Sequence, residues 1–194
     1  VSYTPNFLDA STTTQYEFGI KKRYIGLANI SAAVFQADTY KEIVVENNIN
    51  GKGVYVNANH TQRKGLEFLT QLQLPESFGA TISYTYILAQ TSDAYMTLPS
   101  TYVAAGNSIA GVPKQKLFAD IFWRKPDQSI DVGLEFMASS GLYADDKNTA
   151  YSGGYAVVNA RVGFKQKSGN WSFNEFARVN NISDRYYVGS VIVN

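Results

Sequence analysis

The sequence predicts an all-β fold: an antiparallel transmembrane β-barrel, of which this chain carries about eight strands. Three observations predict it. Apolar and polar residues alternate along eight runs. Each run is about 10 to 13 residues long, whereas strands of ordinary globular proteins peak near 5–6. The connections also alternate, short then long. The short ones are Ile25–Leu27, Pro75–Gly79, Lys125–Ser129 and Lys167–Asn170; the long ones are Lys41–His60, Thr91–Lys114 and Ser140–Gly154. A soluble sandwich has no reason to sort its loops by side. A membrane barrel has tight turns on one side and long loops on the other.

The strands are expected at Thr14–Tyr24, Ala28–Thr39, Gln62–Leu74, Ala80–Gln90, Gln115–Arg124, Ile130–Ser139, Tyr155–Gln166 and Trp171–Asn181. A ten-residue strand is about 33 Å long. Tilted by about 40°, it crosses roughly 25 Å, the height of an outer-membrane apolar band. In the first strand Tyr16, Phe18, Ile20 and Tyr24 share a face, and Glu17, Gly19, Lys21 and Arg23 share the other. The third sets Leu66, Phe68, Leu72 and Leu74 against Glu67, Gln71 and Gln73, and the fourth sets Ile82, Tyr84, Tyr86 and Leu88 against Thr81, Ser83 and Thr85. The fifth carries Leu117, Ala119, Ile121 and Trp123 against Asp120 and Arg124, but adds Phe118 and Phe122 to the polar side. In the sixth, Ile130, Val132, Leu134 and Phe136 oppose Asp131, Gly133 and Glu135. In the seventh, Ala156, Val158, Ala160, Val162 and Phe164 oppose Asn159, Arg161 and Gly163. The eighth loses alternation near Glu175, where a bulge or register change is expected. Pro126 suits the second position of a type I turn at Lys125–Gln128, and Ser168-Gly169-Asn170 tolerates positive φ. Asn47–Gly53 reads as a polar hairpin tip, and Val45 and Val54–Val56 beside it suggest strands continuing beyond the membrane.

Composition narrows the function. Seventeen basic and 16 acidic residues leave a formal charge of +1, so nothing favours nucleic acid, which demands a basic excess. Cysteine is missing, which removes disulfides and thiolate metal sites. The single histidine, His60, is expected to be a polar residue near a loop base. No window of about 18 apolar residues makes a transmembrane helix. Val1–Pro5 reads as mid-loop, not as a signal peptide, so the chain is expected to be a piece of a longer precursor.

Several segments, in order, resemble the carboxy-terminal barrel of TonB-dependent outer-membrane receptors, especially the ferric-siderophore group. They are Thr14–Lys21 with its aromatic–Glu–x–Gly core, Gln62–Glu67 with Arg-x-Gly-Leu-Glu, Ser83–Tyr86, the loop return Gly106–Lys114 ending in Val-Pro-Lys, and Asn180–Tyr187. The family closes on a strand ending in an aromatic residue, whereas this chain stops at Val191–Asn194. The resemblance implies a late segment of a roughly 22-stranded barrel, with the plug, its TonB box, the earlier strands and the final strand outside residues 1–194. It implies an integral protein of the bacterial outer membrane that is a receptor, not an enzyme. It implies import of a ferric siderophore, driven by the TonB–ExbB–ExbD complex acting through the plug. Outer-membrane lipid and lipopolysaccharide would surround it. No cofactor is implied beyond the transported ligand. Haem, cobalamin or copper are alternative cargoes. A small eight-stranded structural or adhesion barrel and a soluble ligand-binding barrel are the alternatives outside the family.

No catalytic set, Gly-rich phosphate loop or metal-ligand spacing is present. The loop tyrosines Tyr95, Tyr102, Tyr143 and Tyr151 are candidate ligand contacts, because they offer rigid area and a hydroxyl donor; girdle or loop packing is the competing role. Glu67, Asp120, Arg161 and Arg178 are candidate lumen residues that hold the plug, with simple solvation or wall-to-wall pairing as the alternative. The pair Asp145-Asp146 is read either as a Ca²⁺ site or as two solvated loop acids.

Overall fold

Eight long strands form one antiparallel meander in the computed structural model, which describes residues 7–49, 52–97 and 101–193. They are β1 (Thr12–Tyr24), β2 (Ala28–Ile49), β3 (Lys52–Gln73), β4 (Phe78–Thr91), β7 (Gln115–Arg124), β8 (Ile130–Ser139), β11 (Tyr155–Ser168) and β12 (Trp171–Val179). Two small hairpins sit in the long loops: β5 (Tyr95–Thr97) with β6 (Thr101–Val103), and β9 (Leu142–Tyr143) with β10 (Tyr151–Ser152). A 3₁₀ turn, Pro75–Ser77, joins β3 to β4. The expected mid-loop start at Val1–Pro5 and the hairpin tip Asn50-Gly51 lie outside the described residues.

The pairing register sorts side chains as the alternation requires. Phe18, Val34, Leu66 and Tyr86 stand in one row across β1 to β4. On the other face Gly19, Ala33, Glu67, Thr85, Lys116, Ser139 and Tyr155 run across seven strands. The apolar face is open: Phe18 is 72% exposed and Leu134 55%. Its short-turn end carries Tyr24, Phe78, Trp123, Phe164, Phe173 and Trp171, an aromatic girdle. Trp123 donates its indole N–H to the Glu76 carbonyl in the adjacent turn, 3.0 Å away.

Two expectations need correction. The connection Lys41–His60 is mostly strand, because β2 and β3 pair on to Ile49 and Lys52 with a bulge between Val45 and Asn47. The last strand has no bulge at Glu175: its register with β11 is unbroken from Trp171 to Val179, and it ends there rather than at Asn181. Alternation looks broken because Glu175 takes an apolar-face position and Phe176 a polar-face one. The side chains depart from the pattern while the backbone does not.

Turn chemistry follows the sequence. Gln128 donates its N–H to the Lys125 carbonyl at 2.7 Å, closing the turn around Pro126. Asp127 accepts from the Ser129 amide at 2.9 Å and hydroxyl at 2.6 Å. These bonds, the hydroxyl first, hold its carboxyl well below the usual carboxylate range. Gly26 and Gly169 carry the positive φ of two other tight turns (71° and 57°).

The faces exchange at Lys41, whose φ is 56°. Below it, Thr13, Thr39, Thr61 and Thr91 form a row across four strands of the polar face. Above it, Glu42 and Val44 turn to that same side. Glu42 accepts from Arg63 at 2.6 and 2.9 Å and from the Thr61 hydroxyl. Val44 packs on a cluster of Val56, Ala58, Tyr95 and Val103. The long loops therefore lean over the polar face rather than away from it.

Candidate functional site

Two assemblies occupy the polar side: a charge network on the wall and a docked pair of long loops. The wall network centres on Arg161. Its guanidinium meets Asp120 with both terminal nitrogens, at 2.7 and 3.0 Å, and also reaches Glu135 at 3.0 Å and Asp131 at 3.4 Å. Arg178 grips Glu135 with two donors, one at 2.8 Å. Arg124 closes the far end on Asp131 at 3.0 Å. Three carboxylates thus face three guanidiniums, and bidentate geometry makes such contacts strong. The fork lies flat because position 133 is glycine: a Cβ there would meet the Arg161 guanidinium carbon at 2.6 Å.

Among the expected lumen residues, Asp120, Arg161 and Arg178 are joined in this one network, and Glu67 stands apart. Among the described residues the Glu67 carboxylate makes no ion pair or side-chain hydrogen bond. It lines an open depression with Glu17, Lys21, Ser31 and Ser83. Sequence reasoning placed Asp131 and Glu135 on the same face without giving them a role. Their role needs the register, which brings Glu135 opposite both Asp120 and Asn159.

Asp145 and Asp146 organise the loops, and neither is simply solvated. Asp145 is 8% exposed. It accepts from the Thr149 hydroxyl at 2.6 Å and from the Thr149 and Ala150 amides at 2.9 and 2.8 Å. Burial raises its carboxyl, but these bonds outweigh burial and leave it below the usual range. Asp146 accepts from the Tyr95 hydroxyl and the Ala110 amide, each at 2.9 Å. Asn148 exchanges two 2.7 Å bonds with the Ser108 backbone. The loop 140–154 is thereby fastened to the loop 91–114. The run Asp-Asp-Lys-Asn-Thr carried the signal, since Asp and Asn bond their own backbone in turns. Among the described residues no group of three or more His, Asp or Glu is disposed as metal ligands.

The candidate tyrosines divide. Tyr95 is 5% exposed, inside the cluster under the loops. Burial, with the Asp146 carboxylate beside it, pushes its phenol far above the ordinary value. Tyr102 lies opposite Met96 on the β5–β6 hairpin, and both are about three-fifths exposed (62% and 60%). Tyr143 and Tyr151 face each other across β9–β10, ring centres 5.1 Å apart, and Tyr151 is exposed. His60 lies at the base of the loop 91–114, where its carbonyl accepts from the Ser92 amide at 2.8 Å. Its ring stacks on Tyr40 at 4.4 Å, between Asp38 and Asp93.

A segment beyond β12 adds to the site. The Asn181 amide donates to the Asn159 side-chain oxygen at 2.8 Å, and the Ile182 amide to the Val158 carbonyl at 2.8 Å. Tyr187 then packs on Tyr155 with ring centres 4.5 Å apart and the rings tilted by 34°. Sequence reasoning missed this pair, because Tyr155 is read as a strand residue and Tyr187 as part of a motif.

Comparison with known proteins agrees with this architecture. Solved structures superpose on most of the chain. The siderophore receptor PiuA from Acinetobacter baumannii matches with a TM-score of 0.73 and 19% identity, over 93% of this chain and 26% of that one. The ferric yersiniabactin uptake receptor FyuA from Yersinia pestis matches at 0.70 and 17%, over 91% and 26%. The copper transporter OprC matches at 0.70 and 15%, over 94% and 26%. The chain spans about a quarter of the length of these proteins (26%). At such identities the likeness establishes the fold. A family model described as "TonB dependent receptor-like, beta-barrel", a family of transport receptors rather than enzymes, matches residues 1–182, and the chain therefore belongs to the TonB-dependent receptor-like β-barrel family.

Proposed function

We propose that this chain forms wall and outer loops of an energised outer-membrane importer for a ferric siderophore. The observation that carries the proposal is the division of the sheet. One face is a broad apolar surface with an aromatic girdle at the short-turn end. The other is polar, with its charges neutralised in place around Arg161. Such a wall suits lipid outside and a hydrated or plugged lumen inside. Lipid and lipopolysaccharide contact the apolar face and the polar rim above it. The TonB–ExbB–ExbD complex supplies energy through a plug from another part of the protein.

The docked loops supply the ligand contacts. Tyr102 and Tyr151 present exposed rings and hydroxyls, with Tyr143 supporting Tyr151. Tyr95 orders the loops through Asp146. Asp120, Arg161 and Arg178 keep the wall neutral, and Glu67 is the wall carboxylate that meets the plug. A copper cargo fits this chain less well. Copper prefers thiolate, thioether and imidazole ligands, and the chain has no Cys, two Met and one His, the His already between two carboxylates.

The test is a titration of the intact parent receptor in detergent against ferric siderophores, haem, cobalamin and copper, followed by intrinsic fluorescence. Tight saturable quenching by one ferric siderophore is the expected result. Saturation by haem, cobalamin or copper alone replaces the cargo, and no binding to the whole panel removes the reading.

A further inference from the structure

The wall and the segment after β12 border an open cavity of about 190 Å³, with Lys116 and Val188–Ser190 exposed, that neither the charge network nor the candidate loop tyrosines line. Lys116, Ser139 and Tyr155, neighbours in one polar-face row, make its floor. Val188–Val191 cover it, and Ser152 and Gly153 close a side. The roof comes close because position 111 is glycine with φ 76°, and a Cβ there would meet the Val193 side chain at 3.0 Å.

Two features give this cavity a chemistry. The first is uncompensated positive character. Among the described residues Lys116 makes no ion pair and no side-chain hydrogen bond, in contrast to the arginines lower on the same wall. The amides of Val188, Gly189, Ser190 and Val191 also donate to no described carbonyl or side chain. A cation and N–H groups that no described acceptor takes, lining one cavity with Ser152, offer donors to an anion. The second feature is Tyr155 in its lining, with the Tyr187 ring tilted against it at 34°, which gives apolar ring area and hydroxyl groups. We propose that this cavity is a subsite for one aryl carboxylate or similar aromatic anion. Its carboxylate sits against Lys116 and the roof amides, and its ring lies beside the tyrosine pair. The size suits one arm of a ligand, since sites for whole drug-sized molecules run to about 300–1,000 Å³. The aromatic anion as an arm of the imported complex rests on the importer reading; the anion site itself does not.

The experiment uses the intact parent receptor in detergent and salicylate as probe, with acetate and benzyl alcohol as controls, read by saturation-transfer NMR. The expected result is saturable salicylate binding that exceeds both controls and weakens at least tenfold in Lys116→Met and in Tyr155→Leu. Lys167→Met, at the short-turn end of β11 and opposite the Tyr155 end, leaves it unchanged. Heat-modifiable migration identifies folded variants, and Ser152→Ala, a mild change, supplies a second probe with an expected severalfold loss. Salicylate binding no stronger than acetate, or unchanged in Lys116→Met, overturns the proposal. Retained, Lys116-dependent salicylate binding in a receptor that binds no ferric siderophore supports the subsite and rejects the iron cargo. Tight ferric-siderophore binding without salicylate binding rejects the subsite alone.

Discussion

Tyr95 donates its phenol hydrogen to the Asp146 carboxylate over 2.9 Å, joining residues 51 apart in the chain. The same carboxylate holds the Ala110 amide, so one aspartate fastens two outer loops.

Replacing Asp146 with Ala leaves a buried phenol and an amide without an acceptor. Hydrogen bonds to charged groups contribute about 1.5–3 kcal/mol, so the loops should lose about that much local stability. The readout is amide hydrogen exchange in residues 104–111 of the intact receptor. Exchange should accelerate by at least tenfold there, while β8 and β11 remain protected. Tyr95→Phe, which keeps the ring and loses one bond, should give a smaller change in the same residues. Equal protection in wild type and Asp146→Ala would show that the loops hold together by other means.

The docked loops should have an acid and an alkaline limit. The Asp145 carboxyl is depressed in the folded state by its turn bonds. Its contribution is present above the unfolded value, about 3.9, and is lost as pH falls through the lower folded value. The Tyr95 phenol is raised. Its contribution is complete below the unfolded value, about 10, and fades only as pH rises towards the folded one. Loop protection should therefore be flat from about pH 5 to 9, with loss below about pH 4 that is smaller in Asp145→Asn. Ultraviolet titration should show a tyrosine that resists ionisation above pH 11 and vanishes in Tyr95→Phe. A pH-dependent loss centred between 5 and 9 would contradict this assignment.

Much of the fold was legible because the period of two survives in most of the long strands. The apolar faces of β1, β4, β8 and β11 follow from residues such as Phe18, Tyr84, Leu134 and Val162 read two apart. The short turns were legible for the same local reason, since Pro126 and Gly169 announce their geometry. The site was less so. Tyr95 and Tyr102 look alike in sequence, yet one is buried against Asp146 and the other open. Pairing between Arg161 and Asp120 depends on register across two strand boundaries. Glu175 misled because a single charge on the apolar face mimics a slip. Lys41 hid a real change, since positive φ at a lysine is invisible in a pattern of apolar residues.

The Arg161 network makes an asymmetric prediction. Arg161→Met strands Asp120, Asp131 and Glu135 near one another without their shared cation. Removing one partner costs more than replacing the pair. The thermal midpoint of the intact receptor in detergent should fall clearly in Arg161→Met, and recover in part when Asp120→Asn is added. The Arg161 side chain is 23% exposed, so solvent screening keeps the loss below that of a fully buried pair. If the double variant unfolds lower than Arg161→Met, the carboxylates are stabilised by something other than this guanidinium.

Two glycines on the polar face should respond differently to the same substitution. A Cβ on Gly79 would strike the ring of Phe122, its partner on β7. That ring is a side chain and can be shortened. A Cβ on Gly65 would strike both the Phe35 ring and the Tyr86 carbonyl of the neighbouring strand. Overpacking of this kind costs about 1–3 kcal/mol. Gly79→Ala should therefore lower the thermal midpoint, and Phe122→Leu in the same chain should restore much of it. Gly65→Ala should lower it as well, but Phe35→Leu should restore little, because the backbone oxygen remains in place. Thermal unfolding of the four variants in the intact receptor decides the matter. Equal rescue at both positions would mean that β3 and β4 can separate enough to admit a methyl group, and that Gly65 is not held by the pairing of the strands.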